Sequence, residues 1–224
     1  MSAAEQALAC YRDMPRATRL HTRLRWWWCP FPLIEAAVLE AGDVVEVGCG
    51  HGLLSLYLAA ASPERRVTGV DIDAAKIDEA KVAAKRLTGD ATVTFTAVAP
   101  GFVPTEPCDA VVVADVLYLL PPAVQREIIE AAAAAIRPGG VVVLKEMGLT
   151  PKWKLRWNTF QETLATKVVK ITEHTDAGLH FVPPEEMAGW MSGQDLQTEV
   201  RPVDDGYPWP HQLIIGRRAP AAAS

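Results

Sequence analysis

VVEVGCGHG, at residues 44–52, decides the fold of this 224-residue chain, because an apolar strand runs directly into three alternating glycines. The three β-branched valines at 44, 45 and 47 are typical of a buried strand, and the leucines that follow the turn recur at helical spacing. Glycines at 48, 50 and 52 let the backbone turn sharply and leave no side chain between loop and ligand. The stretch therefore predicts a nucleotide-binding turn, with helix amides that face a polar or anionic group.

The spacing of these glycines argues against a nicotinamide-binding turn. A dinucleotide fingerprint, G-x-G-x-x-G/A, needs a small residue at position 53, which here is Leu53. The glycines instead run G-x-G-x-G, and Glu46 lies two positions before the first of them. The next predicted strand, residues 66–70, leads into Asp71, whose carboxylate can accept hydrogen bonds from both ribose hydroxyls. A nicotinamide-dependent reductase on the same frame is therefore the weaker alternative.

Four motifs in order make the chain resemble the class I S-adenosylmethionine-dependent methyltransferases. VVEVGCGHG resembles the first motif of that family, and VTGVDID, at residues 67–73, resembles its second strand with the ribose-binding acid. CDAVVVADVLYLLP, at 108–121, resembles the fourth strand and its loop, and RPGGVVVLKE, at 137–146, resembles the turn into the fifth strand. The resemblance is close over residues 43–147 and loose elsewhere. It implies S-adenosyl-L-methionine as cofactor and S-adenosyl-L-homocysteine as product.

The resemblance also implies which residues contact the cofactor. After the third strand, relatives usually carry an acid that holds the adenine amino group, whereas this chain has Ala97-Val98-Ala99. Backbone groups and apolar packing around Val98 are therefore expected to hold the adenine. The full set of expected cofactor residues is Glu46, Gly48, Cys49, Gly50, Gly52, Asp71, Ile72, Val98 and Asp115.

The order of elements predicts an α/β fold with a doubly wound, mostly parallel, seven-stranded sheet of the Rossmann-like methyltransferase type. Strands and helices alternate from residue 43, which implies right-handed crossovers, and a terminal antiparallel pair is predicted from alternation at 196–201 and an apolar run at 213–215. We expect one domain, 1–224, made of a helical extension (1–42), a cofactor-binding core (43–147), a helical lid or insert (148–192) and the terminal strand pair (193–218).

Several boundaries are also predicted. Helices are expected over residues 74–87, from Pro122 through Ile136, and around residues 185–191. Pro138-Gly139-Gly140 is expected to end the second of these, so that the fifth strand covers residues 141–144.

Composition limits the function classes. The net charge of −5 argues against a general nucleic-acid binder. The four cysteines, at 10, 29, 49 and 108, have no zinc-ligand spacing, so no metal site is expected and reduced thiols in a cytoplasm are the simplest account. The N-terminus lacks a secretory layout, which also favours a cytoplasmic protein.

Two segments are basic and rich in tryptophan. Residues 16–28, RATRLHTRLRWWW, contain four arginines and no acid, and residues 151–171 predict an amphipathic helix with an apolar stripe and cations beside it. This stripe either packs on the domain or forms a lid over the acceptor pocket. The alternative is a peripheral contact with a membrane or an acidic carrier protein.

The acceptor site is expected at the carboxyl ends of the strands. His211, Tyr118 and Lys145 are the catalytic candidates there, and His211 is the candidate general base because histidine titrates near neutral pH. The acid–amide pair of metal-assisted catechol enzymes is absent from the sequence around Lys145. The best hypothesis is methylation at oxygen of a small, apolar, aromatic or lipid-like molecule, in small-molecule or specialised metabolism. The alternatives are an N- or C-methyltransferase on a carrier-bound or membrane-associated substrate, and a non-catalytic S-adenosylmethionine-binding protein.

Overall fold

A seven-stranded sheet forms the centre of the protein in a computed structural model that describes residues 1–147, 178–208 and 210–221. Five strands are parallel, and one of the last two runs antiparallel to both of its neighbours. The predicted mostly parallel sheet is therefore confirmed. The strands are β1 (Gly42–Val47), β2 (Arg65–Asp71), β3 (Thr92–Ala97), β4 (Cys108–Ala114), β5 (Ile136–Met147), β6 (Leu196–Pro202) and β7 (His211–Arg218).

The strand order β3-β2-β1-β4-β5-β7-β6 places the point of reversal between β1 and β4. Open α/β sheets bind ligands outside the carboxyl ends of their strands at such a reversal. The glycine turn follows β1, and Asp115 follows β4, so the order brings the two predicted motifs to the same place.

Helices cover both faces of the sheet. The helical N-terminal extension is confirmed, since one helix begins directly after Pro15 and the next after Pro30. None of the helices in the described parts of the chain combines the length and hydropathy needed to cross a bilayer. The predicted helix over residues 151–171 lies outside the described residues. The helices are α1 (Ala3–Ala9), α2 (Arg16–Trp28), α3 (Phe31–Glu35), α4 (Leu53–Ala61), α5 (Ala74–Ala84), α6 (Pro122–Ala135) and α7 (Pro184–Ser192), with a 3-10 helix at Leu117–Leu119.

Alternating strand residues build two apolar layers. Val44, Val112 and Val143 pack with α1, α3 and α4 on one face. Val111 and Val142 pack with α6 and α7 on the other. Because side chains alternate along a strand, Glu46 and Lys145 belong to the first of these faces, near the ends of their strands. The sheet thus places two ionisable side chains, Glu46 and Lys145, on the face that packs against α1, α3 and α4.

The start of β5 differs from the prediction. Helix α6 ends at Ala135, and β5 begins immediately at Ile136, five residues before the expected start of the strand. Ile136 pairs with Cys108 of β4, and the register then shifts before the pairing of Ala110 with Val141. The Pro-Gly-Gly turn is therefore an irregularity inside the strand pairing. Helix α5 also ends earlier than expected, at Ala84, and β7 begins at His211.

Candidate active site

The glycine turn combines close packing with open space. Gly48, Gly50 and Gly52 have φ angles of 76°, 55° and 80°, a region that L side chains rarely adopt. A Cβ atom on Gly48 would lie 2.3 Å from Val116 Cγ2, and one on Gly52 would lie 2.5 Å from the Phe95 ring. A Cβ on Gly50 would meet nothing within 4 Å. The outer glycines therefore let the turn pack against its neighbours, whereas Gly50 borders the space that a cofactor can occupy.

Asp71, at the end of β2, ties the turn to the next strand. Its Oδ2 accepts a hydrogen bond from the Gly50 amide at 2.7 Å, and its Oδ1 accepts one from the Asp73 amide at 2.9 Å. Each carboxylate oxygen has a second lone pair, so acceptor capacity remains for ribose hydroxyls. Ile72 is 51% exposed beside it, and the Val98 amide donates to the Asp71 carbonyl at 3.0 Å. The structure thus brings together four predicted cofactor residues in an arrangement that fits an adenosyl group.

Two other predicted cofactor residues lie beneath the turn. Glu46 is buried and accepts a hydrogen bond from the Ser55 hydroxyl of α4, and burial raises its pKa to about 7. Cys49 is also buried, which raises the pKa of its thiol well above the usual range. Both side chains are buried beneath the turn and are not exposed towards the space beside Gly50. Any contact that they make with the cofactor therefore stays a prediction.

Asp115 is the centre of a charged cluster at the end of β4. It has a φ of 58°, unusual for a residue other than glycine, and its side chain is only 7% exposed. Its Oδ1 accepts a hydrogen bond from Lys145 Nζ at 2.5 Å, and its Oδ2 accepts one from Arg25 Nη1. Burial opposes ionisation of Asp115, but Lys145 and Arg25 outweigh it and hold the pKa well below its usual range. The cluster therefore carries two positive charges and one negative charge.

Arg25 is the site residue that the sequence did not single out. It lies on α2, 90 positions before its partner Asp115, and its second amino group donates to the Ala114 carbonyl at 3.3 Å. Its side chain is 31% exposed, in contrast with the 1% of Lys145. Residue spacing holds no signal for this pairing. The sequence indicated only that Arg25 belongs to a basic segment of the N-terminal extension, without acids, that could lie over the acceptor site.

His211, the predicted general base, is buried at the start of β7. Its Nε2 lies 2.6 Å from the carbonyl oxygen of Trp28. A carbonyl only accepts, so Nε2 carries the proton and Nδ1 keeps its lone pair. Nδ1 is buried and has no hydrogen-bond partner among the described residues. Burial, followed by the charge of Lys145, lowers the pKa of His211 to about 4, so the ring is neutral at pH 7.

Tyr118 and Glu146 are buried close enough to Asp115 to feel its charge. The Tyr118 ring stacks on Phe181 with centroids 5.7 Å apart, and its carbonyl accepts from the His180 amide at 2.8 Å. Burial, and then the charge of Asp115, raises the pKa of Tyr118 well above its usual range. Glu146 accepts from the Leu117 amide at 3.3 Å, and burial raises its pKa to about 8, so it is mostly protonated at pH 7. Tyr118 is therefore a packed wall residue, and its catalytic role stays a prediction.

Helix α2 lies across the carboxyl edge of the sheet. Near its start, Thr18 donates to Glu79 of α5 at 2.7 Å, and His21 packs on His51 of the glycine turn with ring centroids 5.0 Å apart. Farther along, Arg25 reaches the end of β4 and the last helical carbonyl reaches β7. One face of α2 therefore forms a wall shared by the turn, the charged cluster and the predicted base.

The described residues contain no group of three or more His, Cys, Asp or Glu side chains placed to hold a metal ion. All four cysteines are free and buried.

Comparisons with known proteins agree with this geometry. Residues 44–140 match the family model described as a methyltransferase domain. The carboxy-S-adenosyl-L-methionine synthase of Chromohalobacter salexigens is 31% identical over 150 residues, which are 66% of this chain and 55% of that protein. The ribosomal RNA small subunit methyltransferase C of Erwinia tasmaniensis is 49% identical over 51 residues, or 22% of this chain and 15% of that protein. The chain thus spans about half, or less, of these relatives.

A solved structure of similar length extends the likeness to nearly the whole chain. The magnesium protoporphyrin IX methyltransferase of Synechocystis PCC 6803, determined with bound S-adenosylhomocysteine, superposes with a TM-score of 0.62. The superposition covers 96% of this chain and 94% of that protein at 18% sequence identity. Similarity at this level of identity shows the fold.

Proposed function

Because the chain belongs to the class I S-adenosylmethionine-dependent methyltransferases, we propose that it methylates a hydroxyl group of a small, apolar, aromatic or lipid-like acceptor. The observation that carries the choice of oxygen is the neutral, buried His211 ring with an unshared Nδ1 beside the Asp115 cluster. A hydroxyl acceptor must lose a proton during transfer, whereas an amine only needs to arrive neutral. The site offers a proton acceptor that an amine would not need.

The cofactor residues fit S-adenosylmethionine, which supplies a methyl group made electrophilic by its sulfonium. The glycine turn and Asp71 would hold it, and the open position beside Gly50 leaves room for it. Arg25, Asp115 and Lys145 are positioning residues that fix the wall between β4, β5 and α2. Asp115 and Lys145 are almost fully buried, which would limit the access of water to this part of the wall.

His211 Nδ1 accepts the hydroxyl proton in this proposal. A base with a pKa of about 4 is sufficient, because an oxygen that is gaining a methyl group holds its proton much less tightly than a free hydroxyl does. The charge of Asp115 acts on His211 and favours the protonated ring, which offsets part of the burial penalty.

The test uses isotopically labelled S-adenosylmethionine and a panel of phenols, aliphatic alcohols, carboxylic acids and amines, with products identified by mass spectrometry. His211→Gln is the informative variant, because the glutamine amide can still donate to the Trp28 carbonyl but offers no counterpart of Nδ1. We expect kcat to fall about 100-fold or more at a similar KM, the usual size of general-base effects. Turnover of amines alone, or an unchanged kcat in this variant, would overturn methylation at oxygen with His211 as base.

A second candidate is formation of a carboxylated S-adenosylmethionine, in which a carboxylic acid of the panel would transfer its carboxyl group to the methyl carbon of the cofactor and take up the proton that this carbon loses. It is favoured by the 31% identical synthase and by the excess positive charge of the Asp115 cluster, which suits a carboxylate. The same mass spectra distinguish it, because the modified molecule would be the cofactor itself. Cofactor binding by calorimetry without any product would instead favour the non-catalytic alternative.

A further inference from the structure

The outward side of α2 takes no part in the candidate active site. Thr18, Thr22 and Arg25 point inward, whereas Leu20 and Trp27 are 60% and 72% exposed. Arg16 and Arg23 share the exposed side at helical spacing. We give the name outer face of α2 to Arg16, Arg19, Leu20, Arg23 and Trp27, together with Arg12 of the preceding loop, which lies beside Arg19 and Arg23.

The charge on this face is not neutralised. Within the described part of the chain, Arg12, Arg16, Arg19 and Arg23 form no ion pair with a carboxylate, while most other arginines do. The chain as a whole has a net charge of −5, so four unpaired arginines on two turns of helix and the adjacent loop form a local reversal of sign. Such a patch attracts a surface of high negative charge density.

We propose that the outer face of α2 binds an anionic lipid surface. Leu20 and Trp27 alternate with the arginines along one helix side, and exposed Trp28 and Leu33, each 41% accessible, continue the apolar surface past the helix end. An amphipathic helix in a membrane interface has this composition, with arginine at the headgroups and tryptophan and leucine at the acyl boundary. A double-helical nucleic acid would engage the arginines through its phosphates but would leave Leu20 and Trp27 unused, because its bases are already stacked.

This inference does not depend on the reaction proposed above. It does place the candidate active site next to the lipid, because the inner face of the same helix carries Arg25, which contacts Asp115. An acceptor dissolved in the lipid surface would therefore lie close to the site.

The experiment is co-sedimentation of the full chain with vesicles of phosphatidylglycerol and phosphatidylcholine, compared with phosphatidylcholine alone, at low and high salt. Arg16→Gln/Arg19→Gln/Arg23→Gln should weaken binding to the anionic vesicles about 100-fold, from roughly 1 kcal/mol per basic residue near such a surface. The matched control, Lys81→Gln/Arg126→Gln/Arg201→Gln, removes the same charge from exposed sites elsewhere and should bind like the wild type. Leu20→Ser/Trp27→Ser should weaken binding about tenfold or more.

Failure of the wild type to bind anionic vesicles at low salt would overturn the proposal. Equal weakening in the two triple variants, or normal binding by Leu20→Ser/Trp27→Ser, would do the same. Specific binding to an acidic carrier protein but not to vesicles would assign the face to that partner instead. Turnover of a soluble acceptor should be unchanged in the outer-face variants, so the outcome is separate from that of the methylation test.

Discussion

Asp115→Asn isolates the charge at the centre of the site. Asparagine has the size of aspartate and tolerates a positive φ, so the backbone at 58° is not an added cost. The substitution leaves Lys145, which is 1% exposed, without its carboxylate, and Arg25, which is 31% exposed, without its main partner. The perturbation is therefore almost purely electrostatic.

The magnitude follows from these exposures. Removing one partner of a buried ion pair costs about 3–5 kcal/mol, because the other charge stays in a poorly solvated site. Arg25 is solvated over nearly a third of its side chain, so most of the cost comes from Lys145. We expect a loss of about 3 kcal/mol in the free energy of unfolding, or roughly 6–12 °C in Tm for a domain of this size.

Urea unfolding at pH 7 measures this loss, and Asp115→Asn/Lys145→Met is the control. Methionine replaces the buried lysine stem without a charge, so the double variant should recover most of the lost stability. A double variant no more stable than the single one would refute the reasoning. The folded-state pKa of Asp115 is depressed, so its contribution is present above about pH 4 and is lost on further acidification. The difference in the free energy of unfolding between wild type and Asp115→Asn should therefore become smaller as the pH falls below about 4.

Three further predictions concern the glycine turn and its support. Gly50→Ala should weaken S-adenosylmethionine binding at least tenfold by calorimetry while costing only about 1 kcal/mol of stability, since its Cβ meets no protein atom; Gly89→Ala, with a φ of 83° and equally open surroundings, controls for the backbone. Gly52→Ala should prevent native folding, because its Cβ would lie 2.5 Å from the Phe95 ring. The cooperative thermal unfolding transition followed by circular dichroism should then be lost. For Glu46, whose pKa rises from 4.5 to about 7, the native protein binds more protons than the unfolded chain in that interval. Wild-type stability should therefore fall as pH rises through it, and Glu46→Gln should flatten this slope in urea titrations.

The glycine turn could be predicted because its constraints are local. Each of the three glycines adopts a positive φ, and Asp71 bonds back to Gly50 only 21 positions away. The doubly wound, mostly parallel sheet followed from the alternation of strands and helices, since parallel connections leave few topologies open. The start of β5 was wrong because the partner strand overrode the Pro-Gly-Gly stop signal.

The charged cluster could be predicted only in part, because its geometry depends on where α2 lies. Asp115 was expected from the family resemblance, and Lys145 from its position at the end of a strand. Arg25 reaches Asp115 across 90 positions, and Trp28 reaches His211 across 183. Neither contact leaves a periodic signal, so the identity of the residues that complete the site required the folded chain.

Helix geometry also decides how the basic segment divides. Arg23 and Arg25 are two residues apart, which turns their side chains by about 200° around the helix axis. Arg25 consequently meets Asp115, while Arg23 faces outward beside Leu20. Variants at Arg25 should therefore alter stability and turnover, and variants at Arg23 should alter only surface association. A segment that reads as one basic run in the sequence has two separate roles, set by the phase of a single helix.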